Sequence, residues 1–553
     1  MQYLIEEHLF GNMRNIPRFE SVLKTSISIA VLLVVSYALM WNMRKSEGIW
    51  ITFDDVQVAR SVVMAEELKA GQFPVRMLHN FGNGGGYMLF NFYSPLVYYA
   101  TGLAVLAGLN PTNAVKIAFE SSYIIAGLGM FFLLRSTKLN YKISVFGAFL
   151  LISSAYLNYD AYIRGALAEL VAFALLPWLF YFYNRFRSEL SLFYLCAISV
   201  LTAVLFYTHA ITAFIALPML VLWILVDFWR KVISLRLMAV TGASILVGLM
   251  LSASYLLPVV FERPYVRYDS SSFVEKDYKD SFKSLSETFA LPRNDGKILQ
   301  VSLGTGISLL LVLSIPLLLL AHRKKKLTHK NTSILLFLTL GLSILLYLQH
   351  YFSWPIWQYL PLVKLTQFPY RYLTITTVLA VYFIALGLSS ITSKWLQVAV
   401  IGLAVVVTFF ANRAYVEPVG YYFALEHFPT DICATTTWDQ EYLPIWTTTC
   451  LPKNDSRVAT ASSELVILDA VRTNDGARVV SSGSGTLTLH KYYFPGWIAR
   501  SQGQVLPITI ATESGLMQVT LQSGENTTEF SFENTQVRRI GDILSLASLI
   551  LVL

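Results

Sequence analysis

The sequence predicts an all-α polytopic membrane protein of about 11–13 spans with a small β-rich region near its C-terminus. Three observations predict it. Of 553 residues, 55% are hydrophobic and 14% charged, whereas a soluble domain carries about a quarter charged residues. Apolar stretches long enough for a hydrocarbon core of about 30 Å recur along the chain. The basic residues concentrate in short loops between those stretches, as cytoplasmic loops do. The net charge of +8 therefore reports membrane orientation and argues against a nucleic-acid partner.

The first stretch, "SISIAVLLVVSYALMW" (26–41), follows Arg14, Arg18 and Lys24. It is too long for a removable signal peptide and lacks a small-residue cleavage site. The loops 135–142, 184–190, 229–236 and 322–330 are basic, the last with four consecutive cations, and all four are expected on the cytoplasmic side. Spans near 113–134, 143–157, 165–183, 191–208, 210–228, 237–258, 300–321, 331–350, 371–391 and 395–412 connect them consistently. The segment "YSPLVYYATGLAVLAGL" (93–109) breaks this parity if it crosses fully. It reads instead as a short re-entrant or interfacial helix started by Pro95; the alternative is a true span with reversed topology.

This threading divides the chain into a transmembrane region 1–412, with one long external loop at 42–112, an external region 413–539, and a short final membrane segment 540–553. Shorter external loops fall at 158–165, about 259–299, and 351–370. The 413–539 region is rich in Thr, Ser and Gly. It alternates as strands do in "GTLTLHKYYFPGW" and "LMQVTLQ". Of three cysteines, Cys196 lies in a span, while Cys433 and Cys450 are either a pair in an oxidising compartment or two free thiols.

Candidate chemistry gathers at the outer level. Asp54 and Asp55 in "ITFDDVQVAR" follow the first span, and Asp160 and Arg164 share the next outer loop. Glu169 lies one turn into the following helix, His209 ends another in "FYTHAITAF", and Arg371 sits in "TQFPYRYL". Glu262, Arg263 and His350 occupy other outer ends. Ionisable groups at membrane depth are expensive, so a shared level suggests a polar cavity. Singly, each has a plainer reading: a snorkelling arginine, a satisfied histidine, a solvated loop. The 42–112 loop adds an amphipathic surface helix in "VQVARSVVMAEELKAGQFPVR", and then aromatics, amides and glycines, with His79 and Tyr93 as further candidate substrate contacts. Its glycines form no P-loop, lacking the downstream Lys-Ser/Thr. Aromatic and amide groups beside a carboxylate suit a carbohydrate. An ordinary interfacial aromatic belt explains several of the tyrosines equally well.

In that setting Asp54 or Asp55 can take a proton from an acceptor, and Arg164, Arg371 or His209 can stabilise a departing phosphate. Asp160 and Glu169 complete the candidate substrate-binding set. No inner loop offers a nucleotide site. A divalent cation is compatible with the carboxylates and histidine, although no spacing demands one.

A catalytic Asp in the loop after the first span, a juxtamembrane helix and many spans together resemble the GT-C superfamily of membrane glycosyltransferases, which use polyprenyl-phosphate sugars. More closely, "FDDVQVARSVVMAEELKAGQFPVR", "GGGYMLFNFYSPLVYY", "YIRGALAELVAFALLPW", "TQFPYR" and "YYFPGW" resemble the YfhO-like membrane proteins, including those labelled 6-pyruvoyl-tetrahydropterin synthase related. No His-rich zinc triad of a pterin synthase is present. The resemblance implies a multi-pass prokaryotic plasma-membrane enzyme with its active site and C-terminal region extracytoplasmic. It also implies a polyprenyl-phosphate sugar donor and a lipid, glycan or protein acceptor of the envelope. The catalytic Asp maps to Asp54 with Asp55 adjacent, and the arginines of "RGALAE" and "FPYR" are Arg164 and Arg371. A second acid of the superfamily matches Asp160 only loosely, which leaves its role open. The competing readings are a flippase or transporter of lipid-linked glycans and a non-catalytic envelope scaffold. The first calls for a polar path through the whole membrane and for repeats that the sequence does not show. The second makes Asp54 and Asp55 dispensable.

Overall fold

The computed structural model describes residues 2–270, 278–289, 301–423, 433, 435–437, 439–453, 455–473 and 476–552, with side chains from Glu20 onward. Parts of the expected external loop 259–299 and of the 413–539 region lie outside these residues. Among the described residues, eight helices are long and apolar enough to cross a membrane, and one further pair, Leu235–Leu251 and Ala253–Phe261, is bent by 71°. The bend corrects the single straight span expected at 237–258.

Leu192–Trp229 is one continuous hydrogen-bonded run of 38 residues with a non-helical His209 (φ −158°, ψ 98°) inside it. Unbroken, it would be about 57 Å long. Yet Asp227 near its end pairs with Arg187, which lies just before its start. The run therefore folds back at His209, giving the two expected passes with the histidine at the turn. Tyr141–Ile152 has only 12 residues and is extended by the turn Ala155–Asn158. Counting the fold-back as two passes and the bent pair and this short helix as one each, the described residues make eleven passes.

The ends of the bundle differ in charge. Asn184 Nδ2 donates to Ser136 Oγ (2.6 Å) and Lys330 Nζ to Ser188 Oγ (3.5 Å). His329 Nε2 lies 2.7 Å from Arg230 O, and the Tyr141 hydroxyl 3.1 Å from Ser21 Oγ. These contacts gather the four basic loops at one end. A buried ion pair locks that end: Arg187 Nη1 is 2.7 Å from Asp227 Oδ2, which also accepts from the Tyr183 hydroxyl at 2.8 Å, while Ser333 Oγ donates to Asp227 Oδ1 at 2.5 Å. Buried charge is thus not confined to the outer level, as the sequence suggested. Removing one partner strands a buried charge, so Asp227→Ala should cost about 3–5 kcal/mol, whereas Arg187→Met with Asp227→Leu should recover most of it. Melting of the two detergent-solubilised variants checks this.

Leu96–Leu106 has 11 residues, about 16 Å of helix, too short to cross. It packs against Gln57–Lys69 and Pro111–Ser136 and is the short helix expected within 93–109. Asn110 caps the latter helix, accepting from the Thr112 and Asn113 N–H groups, with Pro111 in its first turn.

The strands from Ala459 to Phe532 form two antiparallel sheets. One is ordered Ala459–Ala461, Gly485–Tyr492, Leu516–Leu521, Thr509–Ile510. The other is ordered Leu465–Thr473, Gly476–Gly483, Glu525–Phe532, Trp497–Ser501, Gln504–Leu506. Leu487 and Leu489, two apart as strand alternation requires, share a core with Val479, Met517 and Phe530. Val63, Met64 and Phe81 of the loop 42–112 belong to the same core, so loop and sandwich are packed as one unit. The glycine-rich segment explains the fit. Tyr492 N–H donates to Gly85 O (2.8 Å), and a Cβ on Gly85 would lie 2.3 Å from the Tyr492 ring. The final helix, Gln536–Val552, packs on the bent pair, where Gly541 lies against Ala253 O.

Candidate functional site

Asp54 is placed by backbone pairing. Phe53 N–H donates to Ile163 O (3.0 Å) and Asp54 N–H to Arg164 O (2.7 Å). The partner segment, Tyr159–Arg164, is a π-helical turn, a form that recurs at functional sites. It ends at Gly165 in the left-handed region (φ +68°), where a Cβ would lie 2.3 Å from Thr52 Oγ1. Only glycine permits that close approach. Gln57 Nε2 then donates to Gly165 O (2.9 Å), fixing the start of Gln57–Lys69. Asp54 is half-buried and Asp55 exposed. The Asp55 carbonyl accepts from the Tyr422 hydroxyl (2.9 Å).

All of the π-turn but the half-buried Ile163 is buried, where the sequence suggested a loop at 158–165. It carries the first part of a charge cluster centred on Glu169. Arg164 Nη1 lies 2.7 Å from Asp160 Oδ1 and 2.9 Å from Glu169 Oε2. Arg371 Nε lies 3.2 Å from the same Glu169 oxygen as an ion pair, without hydrogen-bond alignment. His209 Nε2, at the fold-back, is 4.0 Å from it. Glu169 Oε1 accepts from the Tyr156 hydroxyl (2.8 Å) and Thr374 Oγ1 (3.3 Å). Arg371 also donates to Gln367 Oε1 (2.5 Å), and Arg164 stands over the Tyr370 ring at 5.6 Å. Burial, reinforced by the Glu169 charge and opposed by Arg164, holds the Asp160 carboxyl well above the usual carboxylate range. Its Oδ2 is buried without a hydrogen-bond partner. Two guanidinium groups converge on Glu169, and such groups match the oxygens of an anion.

A second layer was missed from sequence. Arg60 is fully enclosed. Its Nε donates to Thr436 Oγ1 (3.0 Å) and its Nη1 to the Tyr98 hydroxyl (3.2 Å). Its guanidinium sits 4.5 Å from the centroid of the Tyr93 ring, and it feels the charge of Asp54. An arginine on the buried face of "VQVARSVVMA" was the available signal. Thr436 lies in the loop closed by the disulfide Cys433–Cys450, with Cα atoms 5.5 Å apart. Tyr156, Tyr370 and Thr374 were also missed, although Tyr370 adjoins Arg371 within "TQFPYR".

The structure thus brings together Asp160, Arg164, Glu169, His209 and Arg371, sets Asp54 beside them through the backbone, and places Tyr93 on Arg60. His79 is elsewhere. It is bound to Glu67 (Nδ1 to Oε2, 2.7 Å), about 15 Å along the helix from its start at Gln57. Glu262 is not solvated: it accepts from Asn91 Nδ2 (2.8 Å) and Arg538 Nε (3.0 Å). His350 Nδ1 lies 2.5 Å from Lys283 O. Among the described residues, no three His, Cys, Asp or Glu side chains are grouped to hold a metal ion.

Beside His79, burial and the neighbouring Arg472 charge pull the Lys491 amine down to about 7. Between pH 7 and the ordinary lysine value of about 10.4, the unfolded chain holds the extra proton, so stability rises with pH in that window and the penalty is fully present below it. Melting between pH 7 and 9 should rise in the wild type, and Lys491→Met should flatten the slope.

A family profile described as "6-pyruvoyl-tetrahydropterin synthase related domain; membrane protein" matches residues 90–416. No curated protein matches significantly. Among solved structures, arabinofuranosyltransferase AftD from Mycobacteria is similar at 14% identity and a TM-score of 0.48, over 72% of this chain and 27% of that one. The Archaeoglobus fulgidus oligosaccharyltransferase in its apo form is similar at 12% identity and a TM-score of 0.49, over 77% of this chain and 61% of that one. The same archaeal oligosaccharyltransferase AglB with an inhibitory peptide and a dolichol-phosphate gives 12% identity and a TM-score of 0.44, over 73% of this chain and 57% of that one. The chain therefore spans about a quarter to three-fifths of the length of these structures. The profile covers more than half of the sequence, including Arg164, Glu169, His209 and Arg371, and the chain belongs to the 6-pyruvoyl-tetrahydropterin synthase related family of membrane proteins.

Proposed function

We propose that the protein is a membrane glycosyltransferase that moves a sugar from a polyprenyl-phosphate-linked donor to an envelope acceptor on the extracytoplasmic face. The observation that carries this reading is the backbone pairing of Asp54 with Arg164 (2.7 Å). It ties the half-buried Asp54 to the backbone of Arg164, whose guanidinium shares Glu169 with that of Arg371.

The chemistry follows from those groups. Asp54 takes the proton of an acceptor hydroxyl or amide as that atom attacks the anomeric carbon. The bond from the anomeric carbon to the phosphate oxygen breaks, its electron pair leaves with the phosphate, and the new charge falls to Arg164 and Arg371. Glu169 spaces the two arginines, and His209 at the fold-back adds a further polar contact. The donor is already activated, so no nucleotide is required. Two features support the outer face: the four basic loops gather at the opposite end, and Cys433–Cys450 is bridged, as in oxidising compartments.

Membranes containing the protein should transfer radiolabel from polyprenyl-phosphate sugars to an endogenous acceptor, and control membranes should not. Transfer from nucleotide sugars alone would overturn the donor assignment. Chelation with EDTA in the same assay decides the metal question: transfer that survives means the arginines suffice, and transfer restored only by a divalent cation adds a metal.

A further inference from the structure

We infer that the cleft between the first outer loop and the sandwich binds an anionic sugar unit, one bearing a carboxylate or a phosphate ester. This rests on the glycosyl-transfer reading only in assigning that unit to the acceptor.

The cleft is a cavity of about 200 Å³ lined by Glu66, Glu67, His79, Asn80, Arg472 and Lys491. His79 also lines an adjoining cavity of about 230 Å³, together with Phe73, Arg76 and Phe532. Lys491 is 4% exposed. Its ammonium donates to His79 O (3.0 Å), and among the described residues no carboxylate lies within ion-pair reach. The charge of Glu67 acts on Lys491 only from beyond ion-pair distance: one Glu67 oxygen accepts from His79 N–H (2.6 Å), the other from His79 Nδ1 (2.7 Å) and Gln72 Nε2 (3.0 Å). His79 Nε2 is buried without a partner.

The backbone re-aims the lysine. The strand register shifts where Leu516 faces Tyr492 and Met517 faces Leu489, leaving His490 and Lys491 unpaired on that side. Such bulges commonly turn a side chain toward a site. A buried ammonium with no carboxylate in contact is costly, and an anion at the cleft would supply the contact. Glu66 and Asn80 at the rim can accept and donate to sugar hydroxyls. The exposed Phe73 of the adjoining cavity offers an apolar face on which a sugar ring can stack. Cations, carboxylate, amide and an aromatic face together fit an acidic sugar better than a bare anion.

The test uses the full-length protein in detergent and isothermal titration with glucuronate, glucose 6-phosphate, glucose and inorganic phosphate, without donor. The acidic sugars should bind. Glucose and phosphate should each bind about tenfold more weakly, and Lys491→Met and Arg472→Ala should each reduce binding by about tenfold. Arg472 is exposed, so its variant keeps the fold even if Lys491→Met does not. Undetectable acidic-sugar binding, binding indifferent to both variants, or phosphate binding as tight as glucose 6-phosphate would each overturn the proposal. Asp54→Asn should bind acidic sugars normally. Binding intact with no transfer by the wild type would sink the glycosyltransferase reading alone, and transfer without binding would sink this one alone.

Discussion

Asp54→Asn should lower sugar transfer by about 10²–10⁴-fold, the usual span for a lost general base, while Asp55→Asn should leave it within a few-fold. The two acids are adjacent in sequence but differ in setting. Asp54 is half-buried, paired through its N–H to Arg164 O and close enough to act on Arg60. Asp55 is exposed, and its carbonyl is held by Tyr422. The asparagine is nearly isosteric and keeps the backbone pairing, so melting should be unchanged. Equal losses in both variants would mean that the pair acts jointly, and full activity in Asp54→Asn would remove it from the chemistry.

Glu169→Gln is expected to destabilise by about 3–5 kcal/mol, because it leaves the Arg371 guanidinium, and in part that of Arg164, buried around a neutral amide. Glu169 receives both arginines and also the Tyr156 and Thr374 hydroxyls, whereas Asp160 reaches Arg164 alone. Adding Arg371→Gln to Glu169→Gln should restore much of the melting temperature, since one uncompensated charge is then gone, without restoring transfer. That divergence separates a group holding the arginines in place from one whose only role is stability. Additive losses in the double variant would show that the two residues are not coupled.

Much of this site was legible in sequence. Ionisable residues are too costly at membrane depth to be placed idly, so Asp160, Arg164, Glu169, His209 and Arg371 stood out against apolar surroundings before any geometry was known. Their partnership was not legible, because it joins the π-turn, two helix starts and the fold-back across some two hundred residues of chain. Arg60 escaped notice because it lies on a helix that reads as amphipathic, and only its enclosure by Thr436 and Tyr98 distinguishes it. His79 was grouped with the others because it shares a loop with Tyr93. The rigid rise of Gln57–Lys69 carries it away from them.

The sequence by itself determined the membrane class, the gathering of the basic loops at one end, the short helix after Pro95 and the strands near the C-terminus. Hydropathy, charge and alternation are local properties, and the physics they report is partition between lipid and water or burial of one strand face. Tertiary structure decided which of two adjacent aspartates is half-buried and pairs with the Arg164 backbone, that Arg60 is enclosed, and that Cys433 pairs with Cys450. Those outcomes depend on long-range packing: Gly165 admitting Thr52 at close approach, the chain reversing at His209, and Tyr492 seating on Gly85.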